Sequence, residues 1–291
     1  MNIGNLLQTG VGGLSIGAIY ALVALGFSIV FRTIGLVNFA HGDILMIGAF
    51  LTVTFFLNSH LWFPLALVLA VSSTALLGFG FERVLRPLER KDLDLMLIGT
   101  IGFGIALEGA AVLIWGSQGQ AVPTPINDTP IHLGSVVVRS YDLFMLGVTA
   151  AVVAALYVFL ERTKTGAAMQ AAAMDHEAAT AMGIDVARCN GRAFAIGAGL
   201  AAVAGALVGP RLYVSVGMGA TVGIKGFAAA ILGGFGNIPG AIVGGLALGL
   251  IESYASGSQG SYSDVITFLV FTGVIMLRPN GLLGERTVSR P

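Results

Sequence analysis

Residues able to do chemistry are sparse in this sequence, and they fall in three places. The first is Gly35-Leu36-Val37-Asn38-Phe39-Ala40-His41-Gly42-Asp43, which sets Asn38, His41 and Asp43 beside an apolar run. The second is Glu108, the one charged residue within 95–115. The third is Gly233–Gly240, where eight residues hold four glycines (Gly233, Gly234, Gly236, Gly240), Asn237 and Pro239. None of these resembles a bond-making centre. There is no GxxxxGK[ST] phosphate loop, and the nearest context, Gly223-Ile224-Lys225-Gly226, lacks its hydroxyl residue and spacing. HExxH, CxxC and GxSxG are absent, and His41, His60, His132 and His176 are scattered. What such groups can do is hydrogen-bond to something that passes them.

The elements that must position them follow from composition. Of 291 residues, 56% are hydrophobic and only 10% charged, against about 25% charged in soluble domains. A soluble fold of this size could not hide so much apolar surface. The solvent that fits is lipid. Glycine, 42 residues, recurs in GxxxG spacing at Gly13/Gly17, Gly205/Gly209, Gly219/Gly223, Gly240/Gly244 and Gly245/Gly249, a pattern that lets helix backbones approach closely. The lone Cys189 permits no internal disulfide. A net charge of zero without a basic tail points away from nucleic acid.

A span needs about 20 apolar residues. Spans are expected at about 10–31, 39–57, 62–82, 95–115, 141–160, 193–213 and 263–277, with 226–251 crossing once or twice, for eight or nine in all. The expected class is an all-α polytopic bundle forming one domain over 1–291, with broken helices. Lys and Arg bias loops to the cytoplasm. Placing Arg32 and the basic groups at 83–91, 162–192 and 278–290 inside leaves only Arg139, Arg211 and Lys225 outside, with the N-terminus external and the C-terminus internal. No Lys or Arg precedes Arg32, so the first apolar segment is expected to be retained as a span. Lys225 and Glu252 are then expected near the external face, and a short strand near Ser135–Val138.

At membrane depth an acid is expensive and often functional. Glu108 therefore serves either transport or an interhelical hydrogen bond. Irregular backbone is tolerated there only inside protein or beside a water-filled cavity, and broken helices tend to line a solute path. Asn38, His41, Asp43, Glu108, Gly233, Gly234, Gly236 and Asn237 are the candidates for such a path, with His41 and Asp43 near its inner mouth. Half of the glycines are equally well explained by close packing. So little charge suits a small, net-neutral solute.

The loop 161–192 lies inside by the charge rule. Residues 167–182 hold no Gly or Pro and are expected to be helical, capped by Thr165 and ended by Gly183. Its small side chains suit another protein's groove.

Here a resemblance becomes specific. Glu177-Ala178-Ala179-Thr180-Ala181-Met182-Gly183 is similar to the EAAxxxG pattern of ABC importer permeases, without its downstream IxLP part. Residues 35–43, 226–241 and 277–284 resemble signatures of the branched-chain amino acid permease family, LivH-like branch, in the same order from about 10 to 285. The resemblance implies that Glu177, Ala178, Ala179 and Gly183 couple the bundle to its motor. It also implies a second related (LivM-like) permease, two ATP-binding subunits and a periplasmic binding protein, within the bacterial inner membrane. No cofactor belongs to the permease itself, since the partner subunits use the ATP. The expected cargo is leucine, isoleucine or valine, with urea, short amides or other amino acids as alternatives. A stand-alone channel or gradient-driven carrier is the competing class. It calls for a charged relay in the spans, against which stand the scarcity of intramembrane acids and the coupling-like loop. Gln170 and Met174 stand where relatives often carry charge, a departure that bears on the ATPase contact.

Overall fold

Lipid leaves a backbone no hydrogen-bond partner but itself, so the apolar runs become helices. The computed structural model describes residues 3–89, 93–133, 136–259 and 262–284. In chain order α1 is Ile3–Ile34, α2 His41–Val53, α3 Phe63–Glu89 and α4 Leu93–Trp115. A two-stranded antiparallel hairpin, β1 Pro130–Leu133 and β2 Val136–Arg139, precedes α5 Ser140–Arg162. There follow α6 Lys164–Met174, α7 His176–Ala181, α8 Val186–Val208, α9 Met218–Gly233, α10 Ile238–Gln259 and α11 Ser263–Leu277.

Among the described residues seven helices are long and apolar enough to cross a membrane: α1, α2 with its π-helical extension Thr54–Asn58, α3, α4, α5, α8 and α10. Two more, α9 and α11, are apolar but have only 16 and 15 residues. At 1.5 Å per residue they reach ~24 and ~22 Å. The chain is an all-α polytopic membrane protein. The segment 226–251 divides into α9 and α10 at a turn, and the span expected at 193–213 starts earlier, at Val186. The expected strand is β2, although Ser135 lies outside the described residues, as do Arg90, Lys91, Arg286 and Arg290.

Glycine sets the spacing of the central helices. α1 and α10 pack backbone to backbone, since a Cβ on Gly13 would meet Leu250 Cα at 3.1 Å and one on Gly17 would meet Leu246 Cα at 2.8 Å. In the same way Gly78 of α3 lies against Ala198 and Phe194 of α8, and Gly205 of α8 against Leu45 and Ala49 of α2. The most apolar windows of α1 and α8 are 83% buried, whereas those of α4 and α5 are 22% buried. So α1 and α8 form the centre, and α4 and α5 turn Ile105, Leu113, Tyr157 and Val158 outward. In water such a surface would be a liability; in hydrocarbon it is ordinary.

At the hairpin end of the bundle, Gln120 and Val214 form an isolated bridge. Arg211 there pairs with Asp142 at the start of α5. Burial, and the nearby Arg139, lower the Arg211 pKa from its usual range. At the opposite end Arg86 Nη2 holds Glu82 at 2.8 Å and donates to Ala187 O at 3.1 Å, tying α3 to the start of α8.

Residues 167–182 are not the single helix expected. Asp175 takes an extended conformation (φ −156°, ψ 109°) and divides them. Its Oδ1 accepts from the amides of Glu177 and Ala178, both at 2.9 Å, which starts α7 afresh. An Asp side chain competes for backbone donors in this way, so the absence of Gly and Pro was insufficient to keep the helix whole. Thr163, not Thr165, caps α6 by accepting from Gly166 N at 2.9 Å. Gly183 ends α7 in the left-handed region at φ +82°.

Candidate functional site

Two helices begin beside each other in the middle of the fold. α2 starts at His41 after a turn in which Asn38 Oδ1 accepts from Ala40 N at 3.1 Å and His41 N donates to Asn38 O at 3.1 Å. α9 starts at Met218, after the loop that pairs Val214 with Gln120. Gly42 of α2 lies against the backbone of Gly219 and Gly223 of α9, where a Cβ on Gly223 would meet Gly42 Cα at 2.8 Å. His41 is buried behind this contact. Its ring packs 4.5 Å from Phe27 and fills the space opened by Gly26.

Beside the crossing is a cavity of about 230 Å³ lined by Phe27, Phe39, Gly42, Asp43, Glu108, Gly219, Ala220, Gly223, Ile224 and Phe227. At about 30 Å³ of liquid volume per water, it has the bulk of one small solute. α4 supplies Glu108, and Gly104 one turn earlier lets the Asp43 carboxylate lie against that helix. Thr100, another turn earlier, accepts from Phe39 N at 3.2 Å and fixes the register of α4 on the turn before α2. The remaining wall is aromatic: Phe27 and Phe39 stand 5.5 and 6.1 Å from Phe227. That wall continues through Phe235, 5.6 Å from Phe227, to Phe31, 4.5 Å farther on. Exposed Phe39 and Ile224 leave the mouth open.

The eight path candidates therefore separate. Asp43 and Glu108 meet in the cavity, and Glu108 is half-buried there rather than deeply so. Asn38 and His41 shape the turn behind it. Gly233, Gly234, Gly236 and Asn237 do not line the cavity; they form the turn between α9 and α10, whose Phe235 extends the aromatic wall. Gly234 (φ +107°) and Gly236 (φ +83°) use conformations that suit glycine. Asn237 Nδ2 donates to Leu283 O and its Oδ1 accepts from Gly240 N, both at 2.9 Å. Leu282 N and Leu283 N donate to Leu232 O and Gly233 O at 2.8 and 3.0 Å. The Gly-rich turn thus clasps the C-terminal tail. Sequence reasoning missed the cavity's aromatic wall and Ala220, and it read Gly219/Gly223 only as packing. The available signal was Phe39, which sits four residues before Asp43 within the first segment.

At the α6–α7 end, Gln170 Nε2 donates to Leu160 O at 2.8 Å, and Met169 and Ala172 are buried against the bundle. α7 buries only Ala179, while Glu177, Ala178 and Gly183 are exposed. Met174 and Met182 flank it, each more than 80% exposed. Among the described residues no group of three His, Cys, Asp or Glu is placed to hold a metal.

Comparison with known proteins fits this arrangement. The "High-affinity branched-chain amino acid transport system permease protein BraD" of Pseudomonas aeruginosa is 36% identical, over 98% of this chain and 97% of its own length. The LivH protein of Escherichia coli K12, described in the same words, is 34% identical over the same shares. A "Probable branched-chain amino acid transport permease protein LivH" of Methanocaldococcus jannaschii is 25% identical over 94% of this chain and 91% of its own. Residues 10–277 match the family described as "Branched-chain amino acid transport system / permease component". With a match across nearly the whole bundle, this chain belongs to the branched-chain amino acid transport permease family.

Proposed function

We propose that this chain is the membrane-spanning subunit of an ATP-binding-cassette importer that moves leucine, isoleucine or valine across the bacterial inner membrane by alternating access. The carrying observation is the cavity, whose chemistry suits an apolar α-amino acid. The solute's ammonium faces Asp43 and Glu108. Its carboxylate faces the first turn of α9, where backbone amides are unsatisfied within the helix and the dipole favours an anion. That turn contains no acid of its own, and Asp43 of α2 lies beside it at Gly219. The branched side chain lies on Phe27, Phe39 and Phe227.

The bundle has no phosphate loop of its own, so the energy comes from two ATP-binding subunits docked at the α6–α7 end. Exposed Glu177 and Ala178 face the motor, buried Ala179 anchors α7 to the bundle, and Gly183 turns the chain back into α8. A second related permease completes the membrane unit, and a periplasmic binding protein delivers cargo to the hairpin end. The N-terminus is then external and the C-terminus internal.

Reconstitution of the permease pair with its ATPases and binding protein tests this. ATP-dependent accumulation of radiolabelled leucine in proteoliposomes is expected, with no uptake when the ATPases are omitted. Uptake by the permease alone would move the assignment to a channel or carrier. Accumulation of urea or acetamide in place of leucine would move it to another cargo.

A further inference from the structure

α9 has two working faces. Gly219, Ala220, Gly223, Ile224 and Phe227 line the cavity. Lys225 points elsewhere: at about 100° per residue it lies roughly 100° from Ile224 and roughly 160° from Phe227. Its ammonium donates to Glu252 Oε1 of α10 at 2.6 Å and pairs with Asp264 Oδ1 of α11 at 2.8 Å. The Tyr20 hydroxyl of α1 donates to Glu252 Oε2 at 2.6 Å. Side chains from four helices thus join in one cluster around Lys225 and Glu252. Lys225 and Glu252 side chains are 10% and 16% exposed, whereas Asp264 is 67% exposed.

The other attachments of α9 to the centre are glycine contacts and the Phe227 ring, 5.5 Å from Phe27 of α1. Gly226 lies against Val23 of α1, and Gly244 of α10 lies against Ala229 and Gly233. Such contacts restrain sliding by shape alone. The Lys225 cluster restrains it directionally. α1 and α10 are already locked to each other through Gly13, Gly17, Gly245 and Gly249, so the cluster fastens α9 to a rigid pair.

We propose that Lys225, with Glu252, Tyr20 and Asp264, is a latch that holds α9, and with it one wall of the cavity, in the position seen here, and that it opens and re-forms in each transport cycle. Asp264 is the partner that leaves, because its carboxylate is the exposed one, while Glu252 keeps both Tyr20 and Lys225. Lys225 is a positioning residue and does not touch the solute. The inference rests on the transport reading above, since it needs the cavity to change its access.

The test uses the reconstituted full complex in a Cys189→Ala background, with Ala220→Cys as reporter in the cavity wall. A membrane-impermeant maleimide is applied from either side, and the inside-to-outside labelling ratio is read. Lys225→Met is expected to shift the ratio about tenfold, and Asp264→Asn about threefold in the same direction, as loss of a state-specific contact shifts a two-state population. Lys225→Arg, which keeps the charge in a different geometry, is expected to shift the ratio less than Lys225→Met. A merely structural role would lower the yield of assembled complex and leave the ratio of the surviving protein unchanged. If Lys225→Met does not assemble, Asp264→Asn decides alone. An unchanged ratio in the variants that assemble overturns the latch, as does a shift in Lys225→Arg equal to that in Lys225→Met. A shifted ratio in a complex that takes up no leucine would retain the latch and remove the cargo assignment.

Discussion

Replacing Gly17 by alanine adds one methyl group where two helices already touch. The new Cβ would lie 2.8 Å from Leu246 Cα, 2.9 Å from Gly245 O and 3.0 Å from Leu246 O. Carbon pairs settle at about 3.5–4.0 Å, so α1 and α10 must part by roughly 1 Å. All three neighbours are backbone atoms, with no rotamer by which to yield. A gap of that size forfeits about a quarter to a half of each contact, itself worth roughly 0.1–0.2 kcal/mol. Over about 40 atom pairs, the number made by one buried leucine, the loss is ~2 kcal/mol. Better helix propensity returns at most about 1 kcal/mol. Lipid gives no compensating hydrophobic drive between helices. The net effect is a destabilisation of ~1 kcal/mol or more. Gly102→Ala on α4 is the control, since a Cβ there meets nothing within 4 Å. Thermal denaturation of the detergent-purified proteins should place Gly17→Ala below the native protein and Gly102→Ala at or above it. Equal midpoints for the two variants would refute the claim that glycine contact sets the α1–α10 spacing.

Other perturbations probe the two ends of the proposed transport path. Asp175→Ala removes the cap that starts α7, worth about 1 kcal/mol, and should reduce ATP-driven uptake while the amount of inserted protein stays constant. Glu177→Lys combined with Ala179→Glu should abolish coupled uptake, and unchanged uptake by purified complexes would remove α7 from the coupling role. Glu108→Gln should alter leucine uptake at unchanged yield; a fall in yield alone would make Glu108 a structural hydrogen-bonding group. In intact cells a cysteine at His176 should resist an impermeant reagent applied from outside, and its modification would place α7 in the wrong compartment.

The site was legible in the sequence only in part. Asp43 and Glu108 stood out because a carboxylate among apolar residues costs free energy and so needs a reason. That reasoning identifies each acid singly and cannot bring α2 and α4 together. The Gly233–Asn237 turn stood out equally, and it hydrogen-bonds to the tail. A broken helix exposes backbone groups whether a solute or the chain's own C-terminus takes them up, and the residues are the same in both cases. The break at Asp175 was missed because helix propensity sums over a window, whereas a cap is one side chain taking two amides.

Sequence by itself determined that this chain lives in lipid, and where most of its spans run. Hydrophobicity, span length and loop charge are local quantities and need no knowledge of neighbours. It also carried the family resemblance, because the signature segments are contiguous. Tertiary structure decided which small residues face which helix, that α2 and α9 start side by side at a cavity, and that Lys225 of α9 meets Glu252 of α10. Those facts depend on how helices rotate and cross. Such packing is a property of pairs of surfaces that no stretch of one helix encodes alone.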